Sequence, residues 1–130
     1  MPDDRRIRRL EQVIFRTVAP LISHGLSDPR LTLVTVTRIR LSKDLSVARV
    51  NWSRIGSEGE RSKAAHALED ARGYLRRAIA GAMRTRVTPH LEFHYDPSIE
   101  KAARVHRILD ELAKERGDRE EEDGTEPEDA

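Results

Sequence analysis

Two strand-like runs stand only a short turn apart, and the rest of the chain has to fold around the hairpin they make. Residues 31–41, Leu-Thr-Leu-Val-Thr-Val-Thr-Arg-Ile-Arg-Leu, are rich in β-branched types and read as one strand. Ser42-Lys43-Asp44 makes a short turn, so a second strand over residues 45–55 pairs antiparallel with the first. In that second run Ala48, Val50 and Trp52 share a face, opposite Arg49, Asn51 and Ser53. The first run slips out of strict alternation: Val34 and Val36 point one way, while Leu31, Leu33, Ile39 and Leu41 point the other. A bulge or strong twist near Thr37 reconciles them.

The flanking segments change period. Ile7, Leu10, Val13, Ile14, Val18, Leu21 and Ile22 recur at three- and four-residue spacing, the mark of an amphipathic helix whose other face carries Arg5, Arg9, Gln12 and Arg16. Pro20 bends or tightens its last turn, and Gly25 stops it. Beyond the hairpin, Ser57 and Glu60 have the spacing of a capping box. A helical pattern then runs through Leu68, Ala71, Leu75, Ile79 and Ala82 to about Arg84, with a kink expected at Ala71–Gly73. Thr88-Pro89 breaks it. Leu91, Phe93 and Tyr95 alternate with Glu92, His94 and Asp96 as a third strand packed on one side. Asp96-Pro97 opens a last helix carrying Ile99, Ala102, Ala103, Val105, Leu109 and Leu112. The expected order is α-β-β-α(kink)α-β-α: an α+β domain with helices on one face of a three-stranded sheet.

Composition narrows the function classes. Aromatic residues make up 4% of the chain and charged residues 36%, so the core is aliphatic. Cysteine is absent, which excludes disulfides and thiolate metal sites and points to a reducing compartment. The start, Met1-Pro2-Asp3-Asp4-Arg5-Arg6, lacks the apolar run of a signal peptide, and no stretch approaches the ~18 apolar residues of a membrane span. The expectation is a cytoplasmic protein with no membrane partner. The formal net charge of +1 hides an asymmetry: residues 117–130 hold eight acids and one base, leaving +8 on residues 1–116. The division expected is therefore a folded basic domain over 1–116 and a disordered acidic tail over 117–130. A basic domain suits a polyanionic partner.

Arginines crowd the turns around the mid-helix glycine. Arg72, Arg76, Arg77, Arg84 and Arg86 fall away from Leu68, Leu75, Ile79 and Ala82, and a bend at Gly73 would leave backbone amides beside guanidinium groups. The plain alternative is a solvated arginine-rich face. His90, Glu92, His94 and Asp96 line one face of the third strand, a spacing better explained by a solvent face than by a metal, and no metal is expected. Ser42-Lys43-Asp44 sits in a turn with no base placed to activate the serine, and Gly56 and Gly59 lead into no phosphate loop. The outer strand face, with Arg49, Asn51 and Ser53, lacks the paired aromatics of an RNA-stacking sheet. No catalytic residue and no cofactor emerge.

The basic first helix, Asp28-Pro29-Arg30-Leu31, Val34-Thr35-Val36-Thr37, Ser42-Lys43-Asp44-Leu45, Ala71-Arg72-Gly73-Tyr74-Leu75-Arg76 and the run from Pro89 to Ser98 together resemble the bacterial ribosome-binding factor A family over residues 5–112. The resemblance implies a type II KH-like domain whose GxxG loop is replaced by an Ala-x-Gly kink at Ala71-Arg72-Gly73. It also implies a non-enzymatic assembly factor of the small (30S) ribosomal subunit. Such a factor supports late maturation, including processing of the 16S rRNA 5′ end, and matters most in cold growth. On that basis Arg72, Gly73, Arg76, Arg77, Arg84 and Arg86, supported by Arg5 and Arg9, would face the rRNA near its 5′ end, in a protein expected to be a monomer. A reading of another class stays open: a protein–protein adaptor that uses the same scaffold without touching RNA.

Overall fold

The structure, a computed structural model, describes residues 3–122. The chain divides into two compact units after Pro97. The first opens with helix α1 (Asp4–Pro20), capped by Asp3, whose Oδ1 accepts the Arg6 N–H at 2.8 Å. Pro20 has no N–H to return to the preceding turn. The chain does not tighten there. It widens into a π-type turn over Leu21–Gly25, closed by Leu26 N–H to Leu21 O at 2.9 Å. A single 3-10 turn at Pro29–Leu31 follows, so the first strand starts three residues later than its composition suggests.

Strand β1 spans Val34–Leu41 and β2 spans Val47–Arg54, antiparallel, joined by a loop over residues 42–46. The slip in the sequence pattern is a β-bulge. Val36 faces Trp52 and Arg38 faces Asn51, leaving Thr37 as the extra residue. Its hydroxyl donates to Asp96 Oδ2 at 2.7 Å. The bulge returns Val34, Val36, Ile39 and Leu41 to one buried face. Ser53, expected on the outer face, is buried. Strand β3 (His90–Tyr95) runs parallel to β2, giving the order β1-β2-β3. A parallel neighbour requires a crossover, and helix α2 (Glu58–Met83) supplies it. The core fills the space between one sheet face and the two helices: Ile14 and Val18 from α1, Leu68, Leu75 and Ile79 from α2, and Val50 and Leu91 from the sheet are essentially inaccessible.

The expected kink is not a helix break. Helix α2 is one continuous α-helix of 26 residues that passes through Ala71 and Gly73. Gly73 is not among the residues with positive φ, and a Cβ there would meet only Arg77 Nη1, at 3.5 Å. One interior glycine costs about 1 kcal/mol, while burying Leu68 before it and Leu75 and Ile79 after it contributes about 2 kcal/mol each. Packing wins over propensity. The capping box is as expected: Ser57 Oγ accepts from Glu60 N–H at 3.2 Å, and Glu60 Oε1 accepts from Ser57 N–H at 3.1 Å.

The second unit is helix α3, Ser98–Glu122, so residues 117–122 continue a helix where the sequence suggests an acidic disordered tail. The remainder of that tail, residues 123–130, lies outside the described residues. Val105, Ile108, Leu109 and Leu112 form a half-exposed apolar stripe on α3 at helical spacing.

Candidate nucleic-acid interface

The arginines of α2 do not act as one free row. Arg76 is half-buried and turned inward: Nη2 donates to Thr88 O at 2.9 Å and Nε to Pro89 O at 3.3 Å. These two carbonyls belong to the segment that feeds β3, so Arg76 fixes the entry of the third strand. Arg72 pairs with Glu69, one helical turn earlier, and lies over the Phe93 ring at 5.8 Å. Arg77, Arg84 and Arg86 are exposed and make no ion pair among the described residues.

Around them lies a cleft of about 540 Å³, lined by Gly73, Arg76, Arg77, Ala80, Arg86, Val87 and Thr88. Gly73, Arg77 and Ala80 are four and three residues apart and share one helical face. Two small residues make the helix side shallow, and the Arg86–Thr88 loop forms the opposite wall. The loop exists because α2 ends at Arg84, the C-cap, which takes the left-handed conformation at φ 56°. Exposed guanidinium groups at Arg77 and Arg86 therefore flank a recess with a floor low enough for a sugar–phosphate chain to approach.

The neighbouring charges are settled elsewhere. Arg30 Nη2 reaches Asp28 Oδ2 at 2.8 Å and Asp70 Oδ2 at 3.0 Å, tying the 3-10 turn to α2. The Arg30 hydrogen bonds hold the Asp28 carboxyl below its ordinary value, and the two carboxylates push the Arg30 guanidinium further up. Asp70, the acid nearest the arginine run in sequence, is thus already engaged. At the other end of the same helix Arg54 pairs with Glu60 at 3.1 Å.

Arg5 and Arg9 are exposed on α1. Two residues past Arg9, Glu11 Oε2 accepts the Leu41 N–H at 2.8 Å, and His90 N–H donates to Ser46 O at 2.8 Å. The first half of α1, the hairpin loop and the start of β3 therefore share one end of the sheet, the end that also carries the loop before β3. Of the sequence candidates, Gly73, Arg76, Arg77 and Arg86 meet in one cleft, Arg84 ends the helix beside it, and Arg72 is diverted toward β3. Ala80, Val87 and Thr88 do not stand out in the sequence. Only the break at Thr88-Pro89 hints that a loop folds back there.

His94 Nε2 and Glu92 Oε1 lie 3.1 Å apart on the outer face of β3. Among the described residues no group of three or more His, Cys, Asp or Glu is placed to hold a metal ion, and no helix is long and apolar enough to cross a membrane.

Comparison with known proteins sets this geometry in context. A family described as Ribosome-binding factor A matches residues 6–109. A ribosome-binding factor A of Carboxydothermus hydrogenoformans is 42% identical over 114 residues, covering 88% of this chain and 91% of the relative. The crystal structure of ribosome-binding factor A from Thermus thermophilus superposes with a TM-score of 0.61 at 39% identity, over 68% of this chain and 94% of that one. A second Thermus thermophilus structure is a homology model fitted into a cryo-EM map of a 30S complex with that factor. It gives a TM-score of 0.56 at 40% identity, over 68% of this chain and 93% of that one.

Proposed function

The chain belongs to the ribosome-binding factor A family, and from that premise we propose that it binds the free small ribosomal subunit late in maturation, as a stoichiometric RNA-binding factor and not as a catalyst. The observation that carries the reading to this chain's own residues is the cleft between α2 and the loop before β3. There two arginines without an ion pair among the described residues, Arg77 and Arg86, flank a floor made of Gly73 and Ala80. A recess of this kind receives a phosphate chain. Among the described residues no aromatic lines it on which to stack a base, so it reads shape and charge more than sequence.

In this proposal affinity comes largely from counterion release, with Arg77, Arg84 and Arg86 neutralising phosphates and Arg5 and Arg9 adding charge from the same end of the sheet. Arg72 and Arg76 hold the frame: one steadies the helix against Phe93, the other fixes the strand entry. The segment bound is the 5′-end region of the 16S rRNA, and binding supports processing of that end, with its largest effect in cold growth. The factor acts as a cytoplasmic monomer.

A salt titration tests the reading. Binding of the full chain to purified small subunits should weaken steeply with salt, and changing Arg77 and Arg86 to glutamine should flatten the slope of log K against log salt by about 1.5. An unchanged slope would favour a protein–protein adaptor.

A further inference from the structure

The sheet has a second face, turned away from α1 and α2, and it too is basic. Val34, Val36, Ile39 and Leu41 of β1 point into the core, so Arg38 and Arg40 point out, and Arg49 of β2 points out with them. All three are exposed, and none of their side chains has a hydrogen bond or ion pair among the described residues. The register sets Arg40 directly opposite Arg49. Side chains so placed begin about 5 Å apart, and like charges in that position destabilise a sheet. Arg38 stands two residues along the same strand, about 7 Å from Arg40. β3 adds exposed His90 and His94, and the acid on its outer face, Glu92, stands opposite Arg49 in the register but is hydrogen-bonded to His94 and makes no ion pair with Arg49 among the described residues. Among the described residues the outer face thus holds three guanidinium groups against one carboxylate, with Arg40 and Arg49 side by side.

We propose that this outer face of the sheet is a second binding surface for RNA backbone, separated from the α2 cleft by the sheet and helix layers, so that one copy of the chain holds two RNA segments at once. The inference rests on the reading of the protein as an RNA-binding factor of the small subunit. The occupant follows from chemistry: a phosphate chain placed over Arg40 and Arg49 relieves their repulsion while satisfying both forks. Among the described residues the face offers no exposed aromatic or aliphatic platform, so it grips backbone and not bases. The bulge at Thr37 is what makes the row: without the extra residue, Arg38 and Arg40 would point into the core.

The test compares full-length R38Q/R40Q/R49Q with the unaltered chain and with R77Q/R86Q. Each is titrated in salt against purified small subunits and against a protein-free RNA hairpin. The sheet variant should flatten the log K–log salt slope by about two to three on both targets and lose at least tenfold in affinity at 0.1 M salt. R38K/R40K/R49K should keep the slope, and thermal melting should show every variant folded. If the sheet variant leaves the slope unchanged while R77Q/R86Q flattens it, the second surface is refuted and the first stands. If neither variant moves the slope, the RNA reading itself fails, and this inference with it. Loss of subunit binding with no loss on the bare hairpin would place an acidic protein surface on the sheet and overturn the assignment to RNA.

Discussion

Arg76 Nη2 donates to the Thr88 carbonyl at 2.9 Å, so a side chain from the long helix holds the backbone that enters the third strand. An arginine that looks from sequence like part of a binding face is a structural clamp. Arg76→Ala should cost about 1–2 kcal/mol, because two backbone carbonyls lose a charged donor in a half-buried setting. Thermal melting should fall by roughly 5–10 °C. Arg77→Ala, one residue on and exposed, should stay within about 0.5 kcal/mol of the parent while weakening subunit binding. Equal melting temperatures for the two variants would remove the clamp.

Gly73 lies inside an unbroken helix with room for a methyl group, 3.5 Å from Arg77 Nη1. Gly73→Ala should therefore stabilise the protein by about 0.5–1 kcal/mol, visible as a higher melting temperature. The same methyl raises the floor of the cleft, so subunit affinity should drop even as stability rises. A less stable Gly73→Ala protein would show that the glycine is needed for backbone conformation after all.

Arg84 carries the opposite balance. It ends α2 in the left-handed region at φ 56°, where a side chain is strained and glycine is not. Arg84→Gly should raise stability by up to about 1 kcal/mol, while subunit binding loses one phosphate contact and a salt slope of about 0.7–0.9. Denaturant titration and binding measured on the same preparation check both halves.

Asp44 organises the hairpin loop. Its Oδ1 accepts from Ser46 Oγ at 2.7 Å, Ser46 N–H at 3.0 Å and Ser42 Oγ at 2.8 Å, and these bonds hold its pKa at about 2 against an ordinary 3.8. A depressed carboxyl stabilises the fold above its unfolded value and loses that contribution as pH falls through its folded one. The stability gap between the parent and Asp44→Asn should thus be full at pH 6, shrink below about pH 4 and close near pH 2. A gap independent of pH would mean the carboxylate charge is not what the loop uses.

Much of the fold can be read in the residues. The bulge is legible because Val36 and Ile39 cannot share a face without an extra residue between them, and the helix start is legible because Ser57 and Glu60 have one reciprocal geometry. The site is harder. Arg76 turns inward to carbonyls 12 and 13 residues away, and a backbone acceptor leaves no mark in a sequence. Gly73 suggests a kink because propensity is local, whereas the buried side chains that hold α2 continuous act across the fold. The facing of Arg40 and Arg49 depends on a register that only the bulge fixes, so neither strand alone reveals it.

The contact between Glu11 and Leu41 has a consequence for how copies of the chain meet. β1 is an outer strand, and its backbone would offer a row of free groups to any extended segment that came alongside. Glu11 has already taken the Leu41 N–H, and the bulge at Thr37 bends the middle of the same border. A neighbouring polypeptide therefore finds no straight run of donors and acceptors along β1. One margin of the sheet is thus interrupted at two points, by a carboxylate and by a single inserted residue.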